Sequence, residues 1–362
     1  MMINIIGAGP AGNYSAYLLA KAGKEVKVFE EHNSIGEPVQ CTGITTGLLK
    51  NVVNLKKNIV LNEIKQARIY SPDKKFVEIN FKEKNLIIDR KEFDIQLSEM
   101  ALKEGAKYFL NRKFVGLSGN SIDIKDKKNG KRDKIEYDHL IGADGPLSAV
   151  AKSCGLFKKR KFWQGIQARV KMKNDNVVEF YPYFGTYAWV VPENKEIVRI
   201  GLVGEDYANV LFKNFLFKFK KIEEKDVIEY QGGLIPIYNP FVKTKKDTIY
   251  IVGDAAGQVK ATTGGGVIQG LMCSKALCDS IVNHKNYGVE WRKLVGKELY
   301  IHLKARKIMD KFKDKDWNKL IKIINSGGKE ILESEERDNI SKLMFKLILK
   351  NPGLVYFMKC ML

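Results

Sequence analysis

With 362 residues and a net charge of +20, the chain is long enough for two interlocked domains around a sizeable core. No run approaches the ~18 apolar residues that a spanning helix needs, which excludes an integral helical membrane protein. Five cysteines with no C-x-x-C pair, and four scattered histidines, exclude a zinc module and a disulfide scaffold and point to reduced thiols.

The first predicted elements are the most informative. A β-branched run, Ile3 to Ile6, ends in Gly7-x-Gly9-x-x-Gly12 and flows into a helical pattern over 11–22. Gly7 permits the tight turn, Gly9 lets backbone approach a pyrophosphate, and Gly12 lets helix pack on strand. The helix N-terminus then offers free N–H groups to the anion. A second strand, Glu25 to Phe29, ends at Glu30, where a carboxylate meets a ribose hydroxyl. An acid there, rather than an arginine, favours FAD or NAD over NADP. The motif starts at the second residue, so no leader is expected, and the protein is read as cytoplasmic.

Further along, helical periodicity appears at 90–104, 210–222, 267–283 and 290–311. Strand patterns appear at 66–70, 76–80, 138–142, 165–172, 176–181, 186–191, 196–203 and 248–253. Ser121–Ile124 and Lys134–Tyr137 flank a polar loop and read as a hairpin. Asp89 is a candidate N-cap for the helix that carries Arg90, Phe93 and Asp94. The nucleotide-binding pieces lie far apart in sequence, so the other region is inserted between them. We expect an α/β fold: a three-layer Rossmann-like domain (1–66, 86–152, 245–284), an inserted antiparallel-sheet domain (67–85, 153–244), and C-terminal helices (285–362).

Two later strands end in loops of chemical interest. Asp144-Gly145 follows the strand at 138–142. Gly253-Asp254-Ala255-Ala256-Gly257 follows the strand at 248–253, and Thr263-Gly264-Gly265-Gly266-Val267 then opens a long helix. Asp254 is placed to accept from polyol hydroxyls. The glycine run brings bare N–H groups and a helix dipole to a flat ring, where they stabilise charge on the N1–C2=O edge of a reduced flavin.

Together the glycine triplet, Arg90-x-x-Phe93-Asp94, Asp144-Gly145 and Gly253-Asp254 resemble the FAD-dependent hydroxylase superfamily. Within it, Gly36-Glu37-Pro38-x-x-Cys41-x-Gly43 and the Gly253–Gly266 segment are similar to the geranylgeranyl reductase family. Tyr187-x-Trp189-x-x-Pro192 resembles that family's aromatic substrate motif, with Val191 where phenylalanine is usual. The resemblance spans residues 2 to about 285. It implies FAD as cofactor, with Ala11 and Gly12 at the pyrophosphate, Glu30 at the ribose, and Arg90 and the Val115 backbone at the adenine-side half. It also implies Asp254 at the ribityl chain, Gly264 to Val267 against the ring, and Cys41, Thr42 and Gly43 on a loop passing the reactive face. The implied activity is saturation of geranylgeranyl double bonds, in archaea those of membrane ether lipid precursors, with electrons from ferredoxin or NAD(P)H. A flavin-dependent monooxygenase or halogenase is the competing expectation, although the halogenase tryptophan motif is missing. A non-catalytic flavoprotein that binds lipid or nucleic acid is a third.

Several features carry two readings. Cys41 is either a flavin-facing catalytic thiol or a small packed hydrophobe. Alternation puts Tyr187, Trp189 and Val191 on one strand face, which is sheet core or the floor of a polyprenyl tunnel. In the 210–222 helix, phasing groups Leu211, Phe215, Phe219 and Ile222 as a face covering the sheet, against a basic–aromatic nucleic-acid patch. The net charge reflects lysine-filled solvated faces, or attraction to anionic membrane or a phosphorylated substrate; arginine is too scarce to favour nucleic acid. Lys342, Lys346 and Lys350 form one stripe beside the apolar residues 340, 343, 344, 347 and 348. That helix docks on the core or rests on the inner face of the membrane.

Overall fold

The computed structural model describes residues 1–335 and 338–361, and side chains through 357 apart from 336 and 337. Met2–Ile6 is a buried β-branched strand at the centre of a six-stranded sheet. Its order is Lys245–Lys246, Ile249–Ile251, His139–Gly142, Met2–Ile6, Glu25–Phe29, Lys107–Phe109, parallel except at the Lys245–Lys246 edge. The helices Pro10–Lys21, Arg90–Lys103 and Val267–Val282 pack together on one face of this sheet, and the hairpin sheet Arg112–Ser118, Ser121–Asp126, Arg132–Glu136 covers the other. Proline at the first helical turn starts Pro10–Lys21 without needing its missing N–H. Asp89 caps Arg90–Lys103 as expected, accepting the Glu92 amide at 3.1 Å.

The inserted layer is an eight-stranded sheet. Its order is Val227–Pro236, Phe162–Lys171, Ile197–Gly204, Tyr187–Pro192, Val177–Tyr181, Val60–Tyr70, Phe76–Ile88, Ile44–Thr45. Val60–Tyr70 and Phe76–Ile88 pair antiparallel, with the register shifting between Val60 and Asn62 and between Ile64 and Gln66. Pleat alternation sends Tyr187, Trp189 and Val191 toward the parallel domain, and Ala188 and Val190 to the opposite face. Tyr181, Tyr183 and Phe184 join that second face, under Phe215.

The aromatic–lysine segment is a covering helix, but its phase differs from the expected stripe. A π-helical turn at Asn214–Phe219 inserts an extra residue, so Phe212, Phe215 and Leu216 are buried while Phe219 stands 39% exposed. The C-terminal region is helical. Ile321 and Ile324 pack on Val77 and Ile79 of the large sheet. In the Ile340–Lys350 helix, Ile340 and Leu347 face inward. Lys342 and Lys346 pair with Glu335, and Lys350 with Glu330, of a neighbouring segment. The lysine stripe therefore lies against the protein's own carboxylates. Among the described residues, no helix is long and apolar enough to cross a membrane and no side-chain cluster suits a metal ion. Cys41, Cys154, Cys273 and Cys278 are free thiols, while Cys360 lies outside the described side chains.

Candidate functional site

A cavity of about 350 Å³ opens where the parallel domain meets the inner face of the large sheet. The glycine triplet forms its nucleotide end, and each glycine has a distinct reason to be there. Gly7 has φ of +99°, and a Cβ on it would stand 2.5 Å from the Ala143 carbonyl oxygen. A Cβ on Gly12 would stand 2.0 Å from the Gly7 oxygen, so helix and strand touch backbone to backbone. Gly9 differs: a Cβ there meets nothing within 4 Å and projects into open space on the cavity wall. Two glycines needed for packing and one that keeps a surface bare is the division of labour a pyrophosphate cradle requires.

Glu30 sits under the same loop. Its carboxylate accepts the Ala8 amide at 2.8 Å and the His32 amide at 3.0 Å, and lies 2.6 Å from His32 Nδ1. The strand carrying Val115 begins beside it, with the Arg112 amide donating to the Glu30 carbonyl at 2.8 Å. Val115 is exposed and does not line the cavity. Arg90 does line it. Its guanidinium holds Asp94 at 3.1 Å and neighbours Cys41, while its buried Nε has no partner. Asp254 is also on the wall, half-buried; desolvation pushes its carboxyl up to about 6, and Arg90 pulls it back in part. A half-buried arginine with a buried, unpartnered Nε, a half-buried acid and an open glycine cradle together fit a dinucleotide with a polyol linker.

Two loops line the middle of the cavity: Gly264, Gly265, Gly266 and Val267, leading into the Val267–Val282 helix, and Cys41, Thr42 and Gly43. The second loop is held from below. Gln167 Nε2 donates to the Cys41 carbonyl at 3.3 Å, and Thr42 Oγ1 donates to Gln167 Oε1 at 2.8 Å. Arg199 Nη1 donates to the Thr42 carbonyl at 2.5 Å, and its Nε to Glu193 at 2.9 Å. Burial raises the Glu193 pKa, but Arg169 and Arg199 outweigh it and hold the carboxyl below its ordinary value.

The far end of the cavity is aromatic. Tyr187, Trp189, Phe180, Val191 and Ile235 line it. Tyr187 and Trp189 rings lie 5.7 Å apart, and a Cβ on Gly264 would come within 2.6 Å of the Tyr187 hydroxyl. Gly201 makes room for the Trp189 indole, since a Cβ there would stand 2.1 Å from its ring.

The structure thus brings Gly9, Ala11, Cys41, Thr42, Gly43, Arg90, Asp254, Gly264, Gly265, Gly266, Val267, Tyr187 and Trp189 around one cavity, and Gly7, Gly12 and Glu30 beneath it. Two expected residues do other work. Pro192 lies on the opposite pleat from Tyr187 and Trp189, with its carbonyl accepting from Asn62, so it cannot line the same space. Asp144 accepts from Ser148 at 2.5 Å and from the Val150 amide at 3.0 Å, which shapes the turn; its neighbours Ala143 and Gly145 reach the cavity instead. Sequence reasoning missed Gln167, Arg199 and His302, because each acts from a segment remote from the motifs, and Lys260, which lies between two motif stretches. For His302 the available signal was a histidine inside an otherwise apolar helical stripe with Leu299 and Leu303.

Comparison with known proteins agrees with this geometry. Residues 1–195 match the FAD binding domain family. The digeranylgeranylglycerophospholipid reductase of Methanocaldococcus jannaschii is 30% identical over 99% of this chain and 97% of its own length. A geranylgeranyl bacteriochlorophyll reductase-like protein from Thermoplasma acidophilum superposes with a TM-score of 0.82 at 20% identity, covering all of both chains. The flavin-dependent halogenase CmlS shares the fold less closely, with a TM-score of 0.63 and 17% identity over 85% of this chain and 62% of its own. The chain belongs to the FAD binding domain family and, along nearly its whole length, to the geranylgeranyl reductase family that contains the digeranylgeranylglycerophospholipid reductases.

Proposed function

We propose that the protein is an FAD-dependent reductase that saturates double bonds of geranylgeranyl chains in archaeal membrane ether lipid precursors. The observation that carries this reading is the juxtaposition of a bare glycine cradle with an apolar aromatic floor, across a loop bearing a partly buried thiol. When bound, FAD supplies two-electron storage and, in its reduced form, a hydride.

The chain's own residues supply the rest. Gly9 and Ala11 border the phosphates, and Asp254 accepts from the ribityl hydroxyls. The Gly264–Val267 turn gives N–H groups that favour negative charge at the ring edge. Tyr187, Trp189 and Phe180 exclude water from the alkene. Saturating one C=C takes one hydride and one proton, and Cys41 is the proton-bearing side chain of the flanking loop.

We further propose that electrons arrive from ferredoxin or a reduced nicotinamide, which the chain's +20 charge would attract as an anionic donor. A diprenyl phospholipid is collected at the inner face of the membrane. Phe345 and Leu349, about two-thirds exposed on the C-terminal helix, suit that contact better than the paired lysines do. Expressing the chain in a host that makes unsaturated prenyl ether lipids tests the reaction. Lipid masses rising in steps of two hydrogens support it, and unchanged lipids beside a flavin-loaded enzyme refute it.

A further inference from the structure

His302 is 3% exposed, lines the cavity, and belongs to the C-terminal Lys297–Met309 helix, where no motif was recognised. Its Nδ1 lies 2.6 Å from Thr262 Oγ1, at the start of the glycine turn. The Thr262 hydroxyl makes no other hydrogen bond among the described residues; in the tautomer in which it donates to Nδ1, the ring proton sits on Nε2. That Nε2 has no acceptor among the described residues. One helical turn on, Arg306 donates to the Thr186 carbonyl at 3.2 Å, which seats this helix beside Tyr187. Burial, with Lys260 nearby, pushes the imidazole down to about 3, so it is neutral at working pH.

Trp189, on the same cavity, is 7% exposed, and its Nε1, which can only donate, is likewise without an acceptor. A buried donor left unpaired destabilises a fold, so a cavity lined by these two as well as the unpartnered Arg90 Nε is built for something other than hydrocarbon alone.

We propose that the cavity holds an acceptor oxygen of its ligand on His302 Nε2–H, with Trp189 Nε1–H as the second neutral donor. Two ligands offer such an oxygen: the flavin ring carbonyl, and the ether or phosphate oxygens of a glycerol lipid head. A prenyl chain by itself offers none. This rests on the reductase reading and deepens it, since a lipid source would make His302 a selector for chains that still carry their head group.

The test uses FAD-loaded enzyme with His302→Leu, His302→Gln and His302→Asn. Glutamine keeps an N–H near the Nε2 position, whereas asparagine keeps only the Thr262 side. We expect His302→Leu to lose at least tenfold in kcat/KM on the geranylgeranyl ether phospholipid. Glutamine should recover most of that loss and asparagine little. A shifted flavin absorption spectrum and weaker FAD binding in His302→Leu assign the oxygen to the flavin. An unchanged flavin with a raised KM assigns it to the lipid. Wild-type kcat/KM and flavin properties in His302→Leu overturn the proposal, as does equal rescue by asparagine and glutamine. If the wild type itself reduces no prenyl lipid, the reductase reading fails, and altered FAD binding in His302→Leu still supports the contact.

Discussion

The two ends of the cavity are built in opposite ways. The nucleotide end is local: one loop, Gly7 to Gly12, lays bare backbone on the cavity wall, and its requirements can be stated glycine by glycine. The ligand end is assembled from Tyr187 and Trp189 on one strand, Gln167 on another, Ile235 on a third and His302 on a C-terminal helix. Short-range backbone geometry therefore shapes one end of the cavity, while long-range packing shapes the other. Substitutions at the first end should act all or none, and at the second end by degree.

The sharpest contrast lies within the triplet. Gly9→Val adds atoms only to open space and should fold normally yet release FAD, leaving a colourless protein with an unchanged far-ultraviolet spectrum. Gly12→Ala pushes against the Gly7 oxygen and should fail to accumulate as folded protein. Full flavin content in folded Gly9→Val would break the assignment of this end. Next in size, Cys41→Ala should keep its flavin but lose more than tenfold in turnover, over ~1.4 kcal/mol of barrier. Unchanged steady-state rates would reduce Cys41 to packing.

Smaller still, Gly201→Ala must displace the Trp189 indole, and should raise KM several-fold with little effect on FAD binding; flavin titration beside steady-state kinetics separates the two. The least effect is a pH dependence. Because burial raises the folded pKa of Asp254 to about 6, its charge is present above that pH and lost below it. The ribityl hydroxyls need an acceptor, so FAD affinity should rise a few-fold from pH 5 to pH 7, and Asp254→Asn should flatten the profile.

The same contrast decides what was legible before the structure. Strand, turn, helix and cap are short-range, so Met2–Ile6, the Asp89 cap and the Val267–Val282 helix stand where periodicity put them. Pro192 was misplaced because a motif is a string, whereas a pleated strand sends alternate residues to opposite faces. The helical stripe at 210–222 shifted because a π-turn has no periodic signature of its own. The expected lysine stripe is real, but only the fold could show Glu330 and Glu335 opposite it. Arg199 was invisible for the same reason, and the roles of both Arg199 and His302 depend on distant partners: Thr42 and Thr262 lie 157 and 40 residues away.

The central claim is that the space beside the glycine cradle is for alkene reduction. Anaerobic mixing of the fully reduced enzyme with a digeranylgeranyl ether phospholipid tests it most directly. Reoxidation of the flavin, with two hydrogens gained by the lipid per flavin oxidised, is the predicted result. A flavin that stays reduced with the lipid, and is oxidised only when oxygen is admitted, would contradict it and favour an oxygen-using flavoenzyme instead.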